Sequence, residues 1–224
     1  MNLKALLVEI SFYEAHFRSH YVRTNPVTYP IPLPTSVAGI FGAMLGWERN
    51  HLPTEIYTGA KVLKPGRIFT EAYTYIHFDT PQDARRGAAE MQVISEPCYL
   101  IALASTDYDK LKEWSETLEE ERYCFLPYGG QNDFFVKDIR FKGVHDTTMS
   151  KEVEGYAPLS LVERIEATGE TPIVESLHTS YRRRHGELFL FVIKNAKLIL
   201  REEVLSVDGI PLYNPLKDFY VPRG

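Results

Sequence analysis

The chain has 224 residues and carries 25 basic against 30 acidic side chains, a net charge of −5, with a pI near 5.8. At 44% hydrophobic and 25% charged residues it has an ordinary globular composition, which excludes a disordered tail and supplies enough chain to bury a core in one large domain or two small ones. The sign of the charge excludes a protein that coats nucleic acid non-specifically, but residues 107–122 hold seven acidic and three basic side chains, so −4 of the −5 sits there and a local basic groove elsewhere stays open.

Two cysteines, Cys98 and Cys124, are too few for a disulfide framework. They read as small core residues in a reducing compartment, with a bridge between them as the minority alternative. The start, MNLKALLVEI, is broken by Glu9 and lacks a small-residue cleavage site, so it does not read as a signal peptide. The longest uncharged apolar stretch, Val37 to Trp47, is too short to span a bilayer. The expectation is a cytoplasmic protein with no membrane partner.

Residues 3–12 predict a buried strand. The next segment interleaves Phe12, Tyr13, Phe17, Tyr21 and Tyr29 with His16, Arg18, His20 and Arg23, then runs through Pro30, Pro32 and Pro34. Three prolines forbid a regular helix or central strand there. Aromatic rings stack on splayed bases and arginine holds phosphate, so the mixture suits single-stranded RNA; packing of the same aromatics on the rest of the protein explains it equally well. Thr35 follows as a helix N-cap, and Val37, Ile40, Phe41, Met44 and Leu45 form one helical stripe. Gly39, Gly42 and Gly46 fall on another face, which suggests close approach of a second backbone.

Residues 67–78 alternate as a strand, residues 79–92 are a small, polar connection centred on Arg85 and Arg86, and residues 97–105 form a further buried strand. Asp107 caps a helix with the stripe Tyr108, Leu111, Trp114 and Leu118. A turn-rich segment, YCFLPYGGQN, leads to a strand over 134–141. The order β-α-β-β-α-β predicts an α+β, ferredoxin-like domain over 1–142. Residues 143–224 read as β-rich, with strands over 172–181, 187–193 and 196–202, the last two forming a hairpin at Lys194–Asn195, and a turn at Asp208–Gly209. The division falls near 142–155.

Metal-ligand spacings, a Walker A loop, a Rossmann glycine pattern and a nucleophile elbow are all missing from the sequence, and no cofactor is expected. Arg182 and Arg183 belong to the densest positive run, which solvated hairpin tips also show.

The segment TYPIPLPTSVAGIFGAMLG, residues 28–46, resembles the "Y-P-x-P-P-P-T-T-hydrophobic-A-G-L-L-G-A-x-L-G" segment of the fifth CRISPR-associated protein family. FLPYGGQNDF, residues 125–134, resembles that family's glycine-containing loop, "P-x-x-G-x-x-x-F". The family belongs to the repeat-associated RNA-binding superfamily built on ferredoxin-like domains, and it caps the 5′ handle of the guide RNA in type I Cascade complexes. The resemblance implies a β-hairpin thumb over about 79–95 carrying Arg85 and Arg86. It implies a handle site along 18–36, with Arg18, Tyr21, Arg23 and Tyr29, a phosphate at Thr35 and Ser36, RNA backbone against Gly39, and further contacts at Gly129 and Gly130; Arg182 and Arg183 are RNA-binding candidates from the positive run alone. The implied partners are the guide RNA, the Cascade backbone subunit and the large subunit, in antiviral defence. A branch of the family cleaves precursor RNA with a Lys-His pair; this sequence has no Lys-His dipeptide. The resemblance therefore favours a non-catalytic binding subunit. The alternatives are a metal-independent endoribonuclease, whose acid and base would come from His16, His20 or His178, and a small-molecule enzyme of unrelated class.

Overall fold

The computed structural model describes residues 3–19, 26–48, 51–80, 83–181 and 187–219. Its elements in chain order are β1 (Lys4–Phe12), β2 (Glu14–Ala15), β3 (Phe17–Arg18), β4 (Thr28–Tyr29), α1 (Pro34–Leu45), β5 (Ile56–Lys64), β6 (Arg67–Thr80), β7 (Asp83–Ser95), β8 (Cys98–Ser105), α2 (Tyr108–Glu119) and β9 (Val136–Asp146). They continue with β10 (Thr148–Val153), β11 (Tyr156–Pro158), β12 (Val162–Ala167), β13 (Ile173–Thr179), β14 (Glu187–Lys194), β15 (Ala196–Val207) and β16 (Ile210–Pro211). The protein is sheet-rich α+β.

β5, β8, β1 and β9 form, in that order, a fully antiparallel four-stranded sheet. Alternation along β1 explains its position in the middle. Leu6, Val8, Ile10 and Phe12 join the core shared with α1 and α2, while Ala5 and Leu7 face the other side, against Leu100, Ala102, Val207, Ile210 and Leu212. A strand buried on both faces needs an apolar run, which β8 has along its length and β1 has over Ala5–Val8. Both helices bury the expected stripes, Val37, Ile40, Phe41 and Met44 on α1 and Leu111, Trp114 and Leu118 on α2. Tyr108, expected in the second stripe, is exposed. Asp107 caps α2 through the Lys110 N–H at 3.1 Å.

Several sequence expectations change. The strand over 67–78 is not part of the four-stranded sheet; β5 fills that place, and β6 is one arm of a long β6–β7 hairpin. Period-two alternation identifies a strand but not its sheet, and the sequence reading assigned no element to the residues of β5. The hairpin therefore starts at Arg67, well before residue 79. Thr35 is not an N-cap: Leu33 takes that position, Pro34 opens the helix, and no side chain caps it. β9 runs through 142–146, with a bulge at Gly143 (φ +96°) absorbing the irregular register.

The hairpin expected at Lys194–Asn195 is instead a switch between sheets. β14 pairs with β11 and β13, while β15 pairs with β10 and β12. Asn195 adopts φ +51° at the corner, and Leu190 and Val192 pack against Leu198 and Leu200 between the two layers. Asp208 and Gly209 do form the expected tight turn, joining Val207 to Ile210. This turn delivers β16 to the back of the four-stranded sheet. There Thr58 and Tyr213 exchange two backbone hydrogen bonds at 2.9 and 3.0 Å, and Gly59 leaves room for Pro211.

Candidate nucleic-acid interface

The proline segment that carries the resemblance is buried throughout 28–34. Proline has no N–H to satisfy, so an irregular run of it can enter a core provided its carbonyls find donors. Two of them do so through side chains: Tyr99 donates its hydroxyl to Pro30 O at 3.1 Å, and Thr58 donates to Pro34 O at 2.8 Å. Burial pushes the Tyr99 phenol far above its ordinary value, so it stays a donor at any working pH. Tyr29 is 2% exposed, stacks on Phe191 at 5.7 Å and donates its hydroxyl to His178 O at 2.7 Å. Its ring is buried in the core, and the packing explanation of the aromatic segment applies there.

This buried run fixes where α1 begins. The Val37 N–H bonds Leu33 O at 2.9 Å. Pro34 has no donor, so Thr35 and Ser36 hold the first-turn N–H groups that the helix itself cannot satisfy. Thr35 is exposed and Ser36 half-buried. An open groove of about 200 Å³ starts here, lined by Phe17, Ser36, Gly39, Ile40, Tyr128 and Gly130, with Ala43 and Pro127 closing it. It brings together three of the residues named from sequence: Ser36, Gly39 and Gly130. Every lining side chain is neutral.

The three α1 glycines have three different reasons. A Cβ on Gly39 would meet nothing within 4 Å; Gly42 admits the ring of Trp47, whose indole packs on Trp114 at 5.2 Å; Gly46 ends the helix at φ +72°. The expected close approach of a second backbone is seen at none of the three: the side chains of Trp47 and Cys124 face Gly42 and Gly46, and Gly39 stands open to the groove. Gly129 and Gly130 are explained by the chain itself. The Gly129 carbonyl accepts the His16 N–H at 2.7 Å. A Cβ on Gly129 would lie 2.5 Å from Glu14 O, and one on Gly130 (φ +94°) would lie 2.1 Å from His16 O. The loop must carry glycine to lie flush on β2 and β3, and this contact forms the groove's wall.

Arg18 is exposed on β3. Arg85 and Arg86 are exposed on β7, next to each other and so on opposite faces of the hairpin, not paired at a tip. One hairpin face carries Phe69, Tyr73 and Tyr75, and the Tyr75 ring lies over Gly87. The hairpin base is tied to the body at Gln92, whose N–H bonds Pro26 O at 3.0 Å and whose carbonyl faces His16 Nδ1 at 2.7 Å. His20, Tyr21, Arg23, Arg182 and Arg183 lie outside the described residues. Sequence reasoning missed Ile40, Ala43, Pro127 and Tyr128 as groove residues. Tyr128 stood beside the glycine pair, but nothing in the sequence says that this loop closes on α1.

Of the histidine candidates, His178 is exposed on β13 and His16 is 1% exposed. A carbonyl only accepts, so His16 Nδ1 carries the hydrogen, and Nε2 is buried with no partner among the described residues. Burial, with a smaller contribution from Arg18, holds the imidazole below its ordinary value of 6.5, the Gln92 bond partly opposing. A ring enclosed and bonded in this way acts as a structural pin. The unfolded chain takes up a proton near pH 6.5 that the folded chain excludes, so stability falls as pH drops below that value, by up to about 1.4 kcal/mol per pH unit. His16→Asn, which keeps a donor near the Nδ1 position, should flatten this slope between pH 6.5 and 5; an identical slope in thermal melts would show that His16 titrates normally.

Cys98 is half-buried and Cys124 exposed, both as free thiols, so the expectation of two core cysteines holds at neither fully. Burial and the Glu9 carboxylate push the Cys98 thiol up, which makes it a poor nucleophile. No helix among the described residues is long and apolar enough to cross a membrane.

No family model matches the sequence, and no curated protein matches it. Among solved structures, a chain of a CRISPR RNA-guided surveillance complex superposes with a TM-score of 0.53 at 11% identity, covering 90% of this chain and 91% of that one. The two chains share a fold. A CRISPR protein from Archaeoglobus fulgidus gives 0.46 at 11% identity, over 96% and 99% of the two chains. The likeness to the surveillance-complex chain extends over both the four-stranded sheet and the C-terminal strands, because nine-tenths of each chain is matched.

Proposed function

We propose that this protein is an RNA-binding subunit of a CRISPR surveillance complex, capping the 5′ handle of the guide RNA and contacting the backbone and large subunits. On this reading β1, α1, β5, β8, α2 and β9 are a ferredoxin-like domain, supported by the strand order β5-β8-β1-β9. The β6–β7 hairpin is its thumb, and the strands after β9 are a second unit. The observation that carries the RNA reading is the groove, where Ser36, Gly39 and Gly130 meet with an aromatic ring, Tyr128, as one wall. A neutral groove with an exposed ring suits one unstacked base, whose π-face needs no charge. The Thr35 and Ser36 N–H groups at the mouth suit the adjoining phosphate.

The test is incubation of the purified protein with labelled repeat RNA in EDTA. Binding without cleavage is expected, preferring the handle sequence over an unrelated strand, with a shallow dependence on salt because few phosphates are held. Cleavage would overturn the non-catalytic assignment. Equal binding of any strand would overturn handle recognition, and no binding would return the small-molecule enzyme to consideration.

A further inference from the structure

The four most exposed large apolar side chains among the described residues lie on one strip. They are Phe135 at 68%, Phe125 and Leu126 at 67%, and Tyr13 at 57%. Backbone contacts make the strip continuous. The Tyr13 N–H bonds Phe135 O at 3.2 Å, and Phe135 bridges Tyr128, two residues beyond Leu126. The strip is also held firmly. The Cys124 and Phe125 N–H groups bond Met44 O and Ala43 O, at 2.8 and 3.0 Å, which fastens the loop to the last turn of α1. Such a run of rings and a leucine in water marks an interaction surface.

Its border is acidic. α2 ends in Glu119, Glu120 and Glu121 immediately before the strip, and all three are exposed. Arg122, the nearest cation in the chain, is already paired with Glu120 at 2.5 Å. At the far end Lys137 is engaged by Glu96 at 2.6 Å and sits over the Tyr13 ring at 5.6 Å. Phosphates would be repelled here, and a second copy of the chain would bring one acidic border against another.

We propose that the Phe125–Leu126–Phe135 strip docks a basic amphipathic segment of another protein, whose apolar side chains cover the strip and whose lysines and arginines meet the end of α2. The strip adjoins the groove at Pro127 and Tyr128, but Phe125, Leu126 and Phe135 do not line it, so the docking needs no bound RNA.

The experiment uses the full chain and two fluorescein-labelled helical peptides with the same Leu/Phe face, one with a Lys/Arg rim and one with a Glu rim. Anisotropy is expected to show binding of the basic peptide alone, weakened by salt. The double substitution Phe125→Ser with Leu126→Ser should leave the melting temperature unchanged, since both side chains are exposed, and weaken the basic peptide at least about tenfold. Failure of the basic peptide to bind, equal binding of the two peptides, or no effect of the double substitution would each overturn the proposal. Loss of single-stranded RNA binding in the same variant would make nucleic acid the occupant. Loss of a concentration-dependent dimer would make it a second copy. Either result also overturns it.

Discussion

Gly39→Leu is expected to leave the protein folded, slightly more stable, and weakened at least about tenfold for handle RNA. The position stands in the middle of α1 with nothing within 4 Å of an added Cβ, so the new side chain meets no neighbour as it enters. Leucine in place of glycine favours a helix interior by about 1 kcal/mol, worth roughly 2–4 °C in melting temperature for a chain of this size. The same side chain projects into the groove of about 200 Å³ between Ser36 and Tyr128, and fills the space a base would take. Gly39→Ala should show the same two changes on a smaller scale. Opposite signs for stability and affinity separate a binding defect from a folding defect. If equilibrium binding of labelled repeat RNA to Gly39→Leu matched wild type, the groove would not be the RNA site.

Gly59→Ala is expected to destabilise the protein by about 3 kcal/mol, the upper part of the range for an overfilled core. A Cβ there would lie 2.1 Å from Pro211 O and 2.8 Å from Ile210 Cγ2. β16 would have to lift, breaking the paired backbone bonds between Thr58 and Tyr213 and exposing Ile210 and Leu212 on the back of the sheet. For a chain of this length that corresponds to a fall of roughly 6–12 °C. Thermal denaturation followed by circular dichroism checks it. A melting temperature within a degree or two of wild type would mean that the C-terminal strands do not close on β5. The contrast between the two glycines is instructive: one is open and available to a ligand, the other is filled by the protein's own backbone.

Several features were legible from residue order alone because they depend on neighbours close in sequence. The apolar run of β1 and β8, the stripe of α1, the Asp107 cap of α2 and the Asp208–Gly209 turn are all set within a dozen residues, and the structure contains each. Ser36, Gly39 and Gly130 were named from two local segments without knowledge that those segments meet. What the sequence could not decide was pairing over distance. Residues 67–78 and 56–64 both suit a strand, and the choice between sheet and hairpin rests on β8 accepting β5 at its edge while β7 returns along β6. Tyr29 and Tyr128 look alike in sequence. Tyr29 became core because β14 brings Phe191 against it, and Tyr128 stayed exposed because the glycines beside it press the loop onto β2 and β3. His16 likewise changed from a catalytic candidate to a buried pin because Gln92, 76 residues away, supplies the carbonyl that fixes its ring. Burial is a property of the whole packed chain, so it separates side chains that local composition leaves equivalent.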